Sequence, residues 1–255
     1  MPENELVAAY KSVPIITRTM LTATTIISIG VAVHLVSFNL VYLNWSLIFY
    51  RFQIQRLFTP FFYTGVNFSF LFDLYFLYTY GTQLENSTYA GRSADFAWFI
   101  IFTSISSSIV AHYMGYVVLF QSLLLSVIYL WSQANSDRIV SFMFGVQFKA
   151  VYFPWVLVAY NAVMMGAVIP WTMLIGIASA HLYYFLDSVY PAMGGPKLIP
   201  TPGLLYRLLP AQEVAGAGFT AGGGTASVLR AAGRQGGTAA AETAGHRWGT
   251  GNRLG

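Results

Sequence analysis

The Asp, Glu, Lys and Arg residues of this chain leave long gaps between them. None falls within residues 19–50, 57–72, 74–84, 96–136 or 150–186, and apolar side chains dominate each gap. A helix that crosses a bilayer needs about 20 predominantly apolar residues. The last two gaps are each about twice that length, so each predicts two helices joined by a tight turn. The turns fall near Met114-Gly115 and at Gly166-Ala-Val-Ile-Pro170, where glycine permits a reversal and proline ends a helix. Six spans follow, roughly 17–37, 66–83, 96–113, 116–134, 151–168 and 171–189, and the fold class is all-α, a polytopic six-helix membrane bundle. Asp73 alone interrupts the second span.

Residues 38–65 do not read as a span. Arg51 and Arg56 stand among Trp45, Phe49, Tyr50, Phe52, Phe58, Phe61 and Phe62. This predicts a hairpin in the membrane interface, its arginine heads snorkelling to phosphates. Composition agrees with a membrane protein. Only 9% of residues are charged and 56% are hydrophobic, whereas a soluble domain carries about 25% charged residues. The net charge of +4 is spread thinly and does not suggest nucleic-acid binding. With no cysteine, disulfides, thiolate nucleophiles and cysteine-ligated metals are excluded. The acidic start, Met-Pro-Glu-Asn-Glu, suits no cleavable leader, so the first span would itself direct insertion.

Orientation follows from the basic residues. Six spans put both termini on one side with Lys11, Arg18, Arg92, Arg138, Lys149, Lys197, Arg207, Arg230, Arg234, Arg247 and Arg253, and only Arg51 and Arg56 lie opposite. The positive-inside rule then places both termini in the cytosol. Trp45, Trp98, Trp131, Trp155 and Trp171 fall at span ends or in the hairpin, as an aromatic belt would. From about Lys197 the chain turns to Gly, Ala, Thr and Arg, a composition that buries no core and predicts a disordered tail. Within it, Gly203-Leu-Leu-Tyr-Arg-Leu-Leu-Pro210 reads as a short piece lying on the bilayer. The expected divisions are a cytosolic segment 1–16, a membrane domain 17–190, a flexible tail 191–245 and a terminal motif 246–255.

Six spans raise the possibility of an intramembrane protease. A serine enzyme of the rhomboid type needs Gly-x-Ser-Gly on the fourth span and a histidine on the sixth, because the hydroxyl needs a base within hydrogen-bond reach. No Gly-x-Ser-Gly occurs in the chain. Span four offers Ser122 and Ser126 without the glycine, and span six offers His181, which by itself reads as an interhelical hydrogen-bonding residue. An aspartyl protease needs two facing acids, but Asp187 lies near a span end. Asp73 is costly in mid-membrane, by roughly 2.5–3.5 kcal/mol on the insertion scale, and must face a polar interior or water. The four histidines are scattered and give no metal spacing, and no cofactor is implied. Gly176-x-x-x-Ala180 is a small-xxx-small pattern that lets two helices approach closely. A small-solute transporter would carry an inverted repeat, and residues 1–95 and 96–190 show no internal similarity.

Several strings then resemble one family. Pro14-Ile-Ile-Thr-Arg18, Tyr50-Arg-Phe-Gln-Ile-Gln-Arg56, Leu74-Tyr-Phe-Leu-Tyr78, Gly91-Arg-Ser-Ala-Asp95, Phe148-Lys-Ala-Val-Tyr-Phe-Pro-Trp155, His181-Leu-Tyr-Tyr-Phe185 and Leu205-Tyr-Arg-Leu-Leu-Pro210 are similar to Derlin sequences. The resemblance runs from about residue 10 to 210 and returns at the last ten residues. It implies a rhomboid-like pseudoprotease of the endoplasmic-reticulum membrane, without catalytic activity. Such a protein would work in endoplasmic-reticulum-associated degradation, moving misfolded clients to the cytosol with a membrane-bound ubiquitin ligase complex, either as a homo-oligomeric ring or as a half-channel beside a ligase subunit. The family's first-loop Trp-Arg pair corresponds here to Gln55 and Arg56, and its Gly-x-x-x-Gly to Gly176 and Ala180. The tail residues Trp248, Gly249, Gly251 and Leu254 resemble an SHP box, which implies binding of the valosin-containing AAA+ ATPase.

Overall fold

The computed structural model describes residues 5–142 and 145–209. Helices dominate them, in the order α1 (Glu5–Ser12), α2 (Ile15–Ala32), α3 (Phe38–Val41), α4 (Trp45–Arg51), α5 (Phe68–Gln83), α6 (Ser93–Met114), α7 (Phe120–Ala134), α8 (Phe153–Met164), α9 (Trp171–Tyr184), α10 (Tyr190–Ala192) and α11 (Gly203–Leu208). A helix stands at each of the six expected positions: α2, α5, α6, α7, α8 and α9. The breaks fall at the glycines and the proline. Gly115 closes α6 with φ +75°, a left-handed cap that glycine adopts without strain. Gly166 turns the chain after α8 with φ +73°, and Pro170 precedes α9.

By length and composition, however, only α2 and α6 among the described residues are long and apolar enough to cross a membrane on their own. α5 and α9 run on into π-helical turns, Leu84–Thr88 and Phe185–Val189. α7 and α8 are short, at 15 and 12 residues.

α7 is the hub. Twelve of its 15 residues are buried, from Phe120 through Leu123, Leu124 and Leu125 to Trp131 and Ser132. A helix apolar all round belongs in the middle of a bundle. It packs most extensively on α9, with α5, α8 and α6 around it. α2 lies at the periphery and buries one stripe, Thr17, Met20, Thr24 and Ser28, at the spacing of one helical face.

Four expectations are corrected here. The loop before α8 holds a two-stranded antiparallel ribbon, β1 (Ile139–Ser141) and β2 (Gln147–Lys149), in which Val140 faces Phe148, so the fold is not purely helical. Trp131 is interior, because its indole N–H donates to Gln83 Oε1 at 2.9 Å; Trp155 and Trp171 are the exposed ones. Arg56 does not snorkel outward but is buried. Finally, the first part of the stretch read as tail is seated on the bundle. Ile199 is buried, and the Thr201 and Tyr206 hydroxyls both donate to Asp95 Oδ1, at 2.6 and 2.5 Å. Lys197 pairs with the buried Asp187 at 3.2 Å. Local composition hid this docking, because its partners lie on α6 and beyond α9.

Candidate functional site

Asp73 lies on the inward stripe of α5, which also buries Phe70, Leu77 and Tyr80. Its side chain is almost wholly enclosed, with 7% exposure. Both carboxylate oxygens accept hydrogen bonds. Gln121 Nε2 on α7 donates to Oδ1 and Oδ2 at 3.0 and 3.1 Å, and the Thr64 hydroxyl donates to Oδ2 at 3.0 Å. The Thr64 backbone N–H in turn donates to Ser28 Oγ on α2 at 3.1 Å. One acid thus ties α2, α5, α7 and the loop before α5. Against an ionised Asp73 the Gln121 amide presents its NH2, since its oxygen there would repel the carboxylate. That leaves Gln121 Oε1 buried without a hydrogen-bond partner among the described residues.

Beside this network runs a groove of about 140 Å³ between α5 and α8, floored by α7. Phe68, Phe72, Phe76, Phe142 and Tyr160 supply aromatic walls, and Asp73, Gln121 and Asn161 are its polar points. Asp73 thus has polar partners inside the bundle, while the groove beside it is lined mainly by apolar side chains. Gln121, Thr64 and Ser28 were not singled out in the sequence. Only the position of Gln121 at the start of an apolar helix hinted at it.

The serines of α7 serve packing. Ser122 donates to Ser107 Oγ at 2.8 Å, and Ser107 donates to Ser179 Oγ at 3.0 Å, a ladder across α7, α6 and α9. Ser126 donates to the carbonyl oxygens of Ser122 at 2.8 Å and Gly176 at 2.9 Å. His181 Nδ1 lies 2.6 Å from the Tyr129 hydroxyl. Neither serine is therefore joined to the histidine as a nucleophile is to its base. Gly176 explains the ladder. A Cβ there would collide with the Ser122 carbonyl, so glycine is what lets the two backbones touch, and Ala180 is fully buried one turn on.

Two further polar anchors hold the bundle. Arg56 donates to Gln53 Oε1 at 2.6 Å and to the carbonyl oxygens of Asn39 at 2.5 Å and Tyr42 at 3.3 Å, with its guanidinium 5.3 Å from the Tyr42 ring centroid. It locks the hairpin from inside, while its neighbour Gln55 is exposed. The outer surface of the hairpin consists of Phe49, Tyr50, Phe52 and Ile54, all well exposed. At the opposite end, buried Glu85 accepts from the backbone N–H groups of Ile16 and Thr17 at 3.0 and 2.9 Å and from the Thr17 hydroxyl at 2.9 Å. It satisfies donors that the first turn of α2 leaves unpaired. Near it, Tyr89 is held neutral because burial raises its pKa, with the charge of Asp187 adding.

Asp73, Gly176 and Ala180 are buried in the α5–α7–α9 core, whereas His181 is exposed on α9 and shares no hydrogen-bond partner with Asp73 among the described residues. Gln55 and Arg56 stand apart in the hairpin. No group of three or more His, Asp or Glu able to hold a metal occurs among the described residues. Trp248, Gly249, Gly251 and Leu254 lie outside the described residues.

The model of the Der1-like family matches residues 13–203. The chain is 40% identical to Derlin-1 of Homo sapiens over 251 residues, 96% of each chain. It is 38% identical to Derlin-1 of Caenorhabditis elegans over 205 residues, 79% of this chain and 83% of that one. It is 36% identical to a probable derlin-2 homolog of Dictyostelium discoideum over 212 residues, 80% and 83% of the two chains. The chain belongs to the Der1-like family.

Proposed function

We propose that this protein is a non-catalytic component of endoplasmic-reticulum-associated degradation, a multi-pass protein of that membrane with both termini in the cytosol. It promotes retrotranslocation of misfolded lumenal or membrane clients through a polar groove and a thinned bilayer. It recruits the valosin-containing AAA+ ATPase through residues 246–255 and works beside a membrane-bound ubiquitin ligase complex. Membership of the Der1-like family supports this reading, and so does the engagement of Ser122, Ser126 and His181 in packing.

The observation that carries it is the groove between α5 and α8 with Asp73 and Gln121 inside. An unsatisfied backbone group in hydrocarbon costs several kcal/mol, and a groove with polar points and an aromatic rim lowers that cost for a client. Helix length supports thinning. At 1.5 Å per residue, the 15 residues of α7 and 12 of α8 span about 22 and 18 Å, against a hydrocarbon core of about 30 Å. A bilayer meets such mismatch by thinning locally. The test is client turnover in cells that depend on this protein, with Asp73→Leu and Gln121→Leu introduced together. Turnover should slow severalfold while the protein stays in the membrane. Unchanged turnover would remove the groove from the mechanism.

A further inference from the structure

The Asp73 carboxylate takes its hydrogen bonds from neutral groups, Gln121 Nε2 and the Thr64 hydroxyl, and has no cationic partner among the described residues. A second acceptor, Gln121 Oε1, is buried beside it with no donor. The residues Asp73 and Gln121 line a groove of about 140 Å³ walled by Phe72, Phe76 and Tyr160, with Gln121 Oε1 itself covered. A carboxylate with one formal negative charge and aromatic faces form a receptor for a cation: the carboxylate attracts it and the ring faces favour positive charge.

We propose that the groove selects client segments that carry a basic side chain, lysine above all, within an otherwise apolar membrane run. This rests on the groove being the client path. The occupant follows from charge complementarity. A lone carboxylate and a lone ammonium are each expensive inside a bilayer, and pairing them relieves both costs. Lysine suits the shape, because its aliphatic stem packs on apolar walls while its N–H donors meet Asp73. A well-inserted apolar segment has nothing to offer these acceptors and gains only dispersion contacts in the groove. Asp73 thus distinguishes a helix with an unpaired membrane charge, the mark of an unassembled or misfolded client, from a settled one. Its place, five residues into α5, puts the pairing site about 7–8 Å below that helix end.

The experiment uses the full-length protein in vesicles of phosphatidylcholine or of phosphatidylglycerol, with a photo-crosslinking amino acid replacing Asn161 on the groove wall. Transmembrane peptides identical except for one residue, Lys, Leu or Glu at the depth of Asp73, are added and crosslinked. The lysine peptide should be captured about tenfold more than the leucine peptide, the scale of one desolvated charge pair. The glutamate peptide should fall below both, and Asp73→Asn, which keeps the side-chain size, should reduce lysine capture to the leucine level. Equal capture of lysine and leucine peptides by the unmodified groove would overturn the selectivity while leaving the groove as a client path. So would a lysine preference that survives Asp73→Asn. A preference present in phosphatidylglycerol but abolished in phosphatidylcholine would make the choline headgroup the occupant and overturn the proposal. Capture of none of the peptides would remove the groove reading itself.

Discussion

Arg56 is buried inside the aromatic hairpin. Its guanidinium reaches the Asn39 and Tyr42 carbonyls and Gln53, and a planar fork of donors suits that task better than an ammonium. Arg56→Ala leaves buried acceptors unmet and should lower stability by about 2 kcal/mol or more. Arg56→Lys should recover only part of it. Thermal unfolding in detergent reads this, and an unchanged midpoint for the alanine variant would show that the hairpin does not depend on the guanidinium. Gln55 is exposed, so Gln55→Trp should fold normally and add an aromatic surface to the exposed Phe49, Tyr50 and Phe52.

Among the elements, α7 and α9 make the tightest joint. Gly176 sits against the Ser122 backbone, and a Cβ has no room there. Gly176→Ala should cost roughly 1–3 kcal/mol by overpacking, and Gly176→Leu should prevent a stable fold. Ala180→Gly removes a buried methyl and should cost about 1 kcal/mol by the methylene rule. Urea titration of the purified protein orders the three variants, and full stability of Gly176→Ala would mean that the two helices can part without loss. At the other end, α11 is held through Asp95. Burial raises the Tyr206 pKa, with the Asp95 hydrogen bond adding. The phenol is therefore neutral at physiological pH and donates to the carboxylate, and this bond is lost only as the pH climbs past the raised value. Thr201→Val together with Tyr206→Phe removes both donors. Trypsin should then cut after Arg207 several times faster, and an unchanged cleavage rate would place the docking of α11 elsewhere.

At the scale of the whole molecule, two expectations remain to be tested. The positive-inside rule predicts both termini in the cytosol, so protease added to sealed microsomes should remove tags from both ends; protection of either would overturn the six-span order. The terminal motif should act on its own. A peptide of residues 240–255 should bind the N-terminal domain of the ATPase, with Trp248 and Leu254 as buried anchors. Trp248→Ala should weaken it more than tenfold, since loss of one anchor costs about 2 kcal/mol, whereas Thr250→Ala should not. Equal ATPase recovery by the full chain and by a chain ending at Pro210 would assign recruitment to another surface.

The sequence by itself determined what local signals carry. Gaps free of charge, Gly115, Gly166 and Pro170 placed six helices and their breaks, because helix termination depends on backbone conformation at one or two residues. The ordered strings from Pro14 to Pro210 carried the family. Tertiary structure alone decided the partners of the polar groups. Gln121 pairs with Asp73 from 48 residues away, Glu85 with Thr17 from 68, and Tyr206 with Asp95 from 111. Such pairings arise only when helices distant in sequence pack together, and in a low-dielectric interior each buried polar group must find a partner wherever the packing provides one. Hence Arg56 could be expected to face either lipid or loop, the docked segment 197–209 could be mistaken for tail, and the acceptor left over beside the α5–α8 groove appeared only once the bundle closed around it.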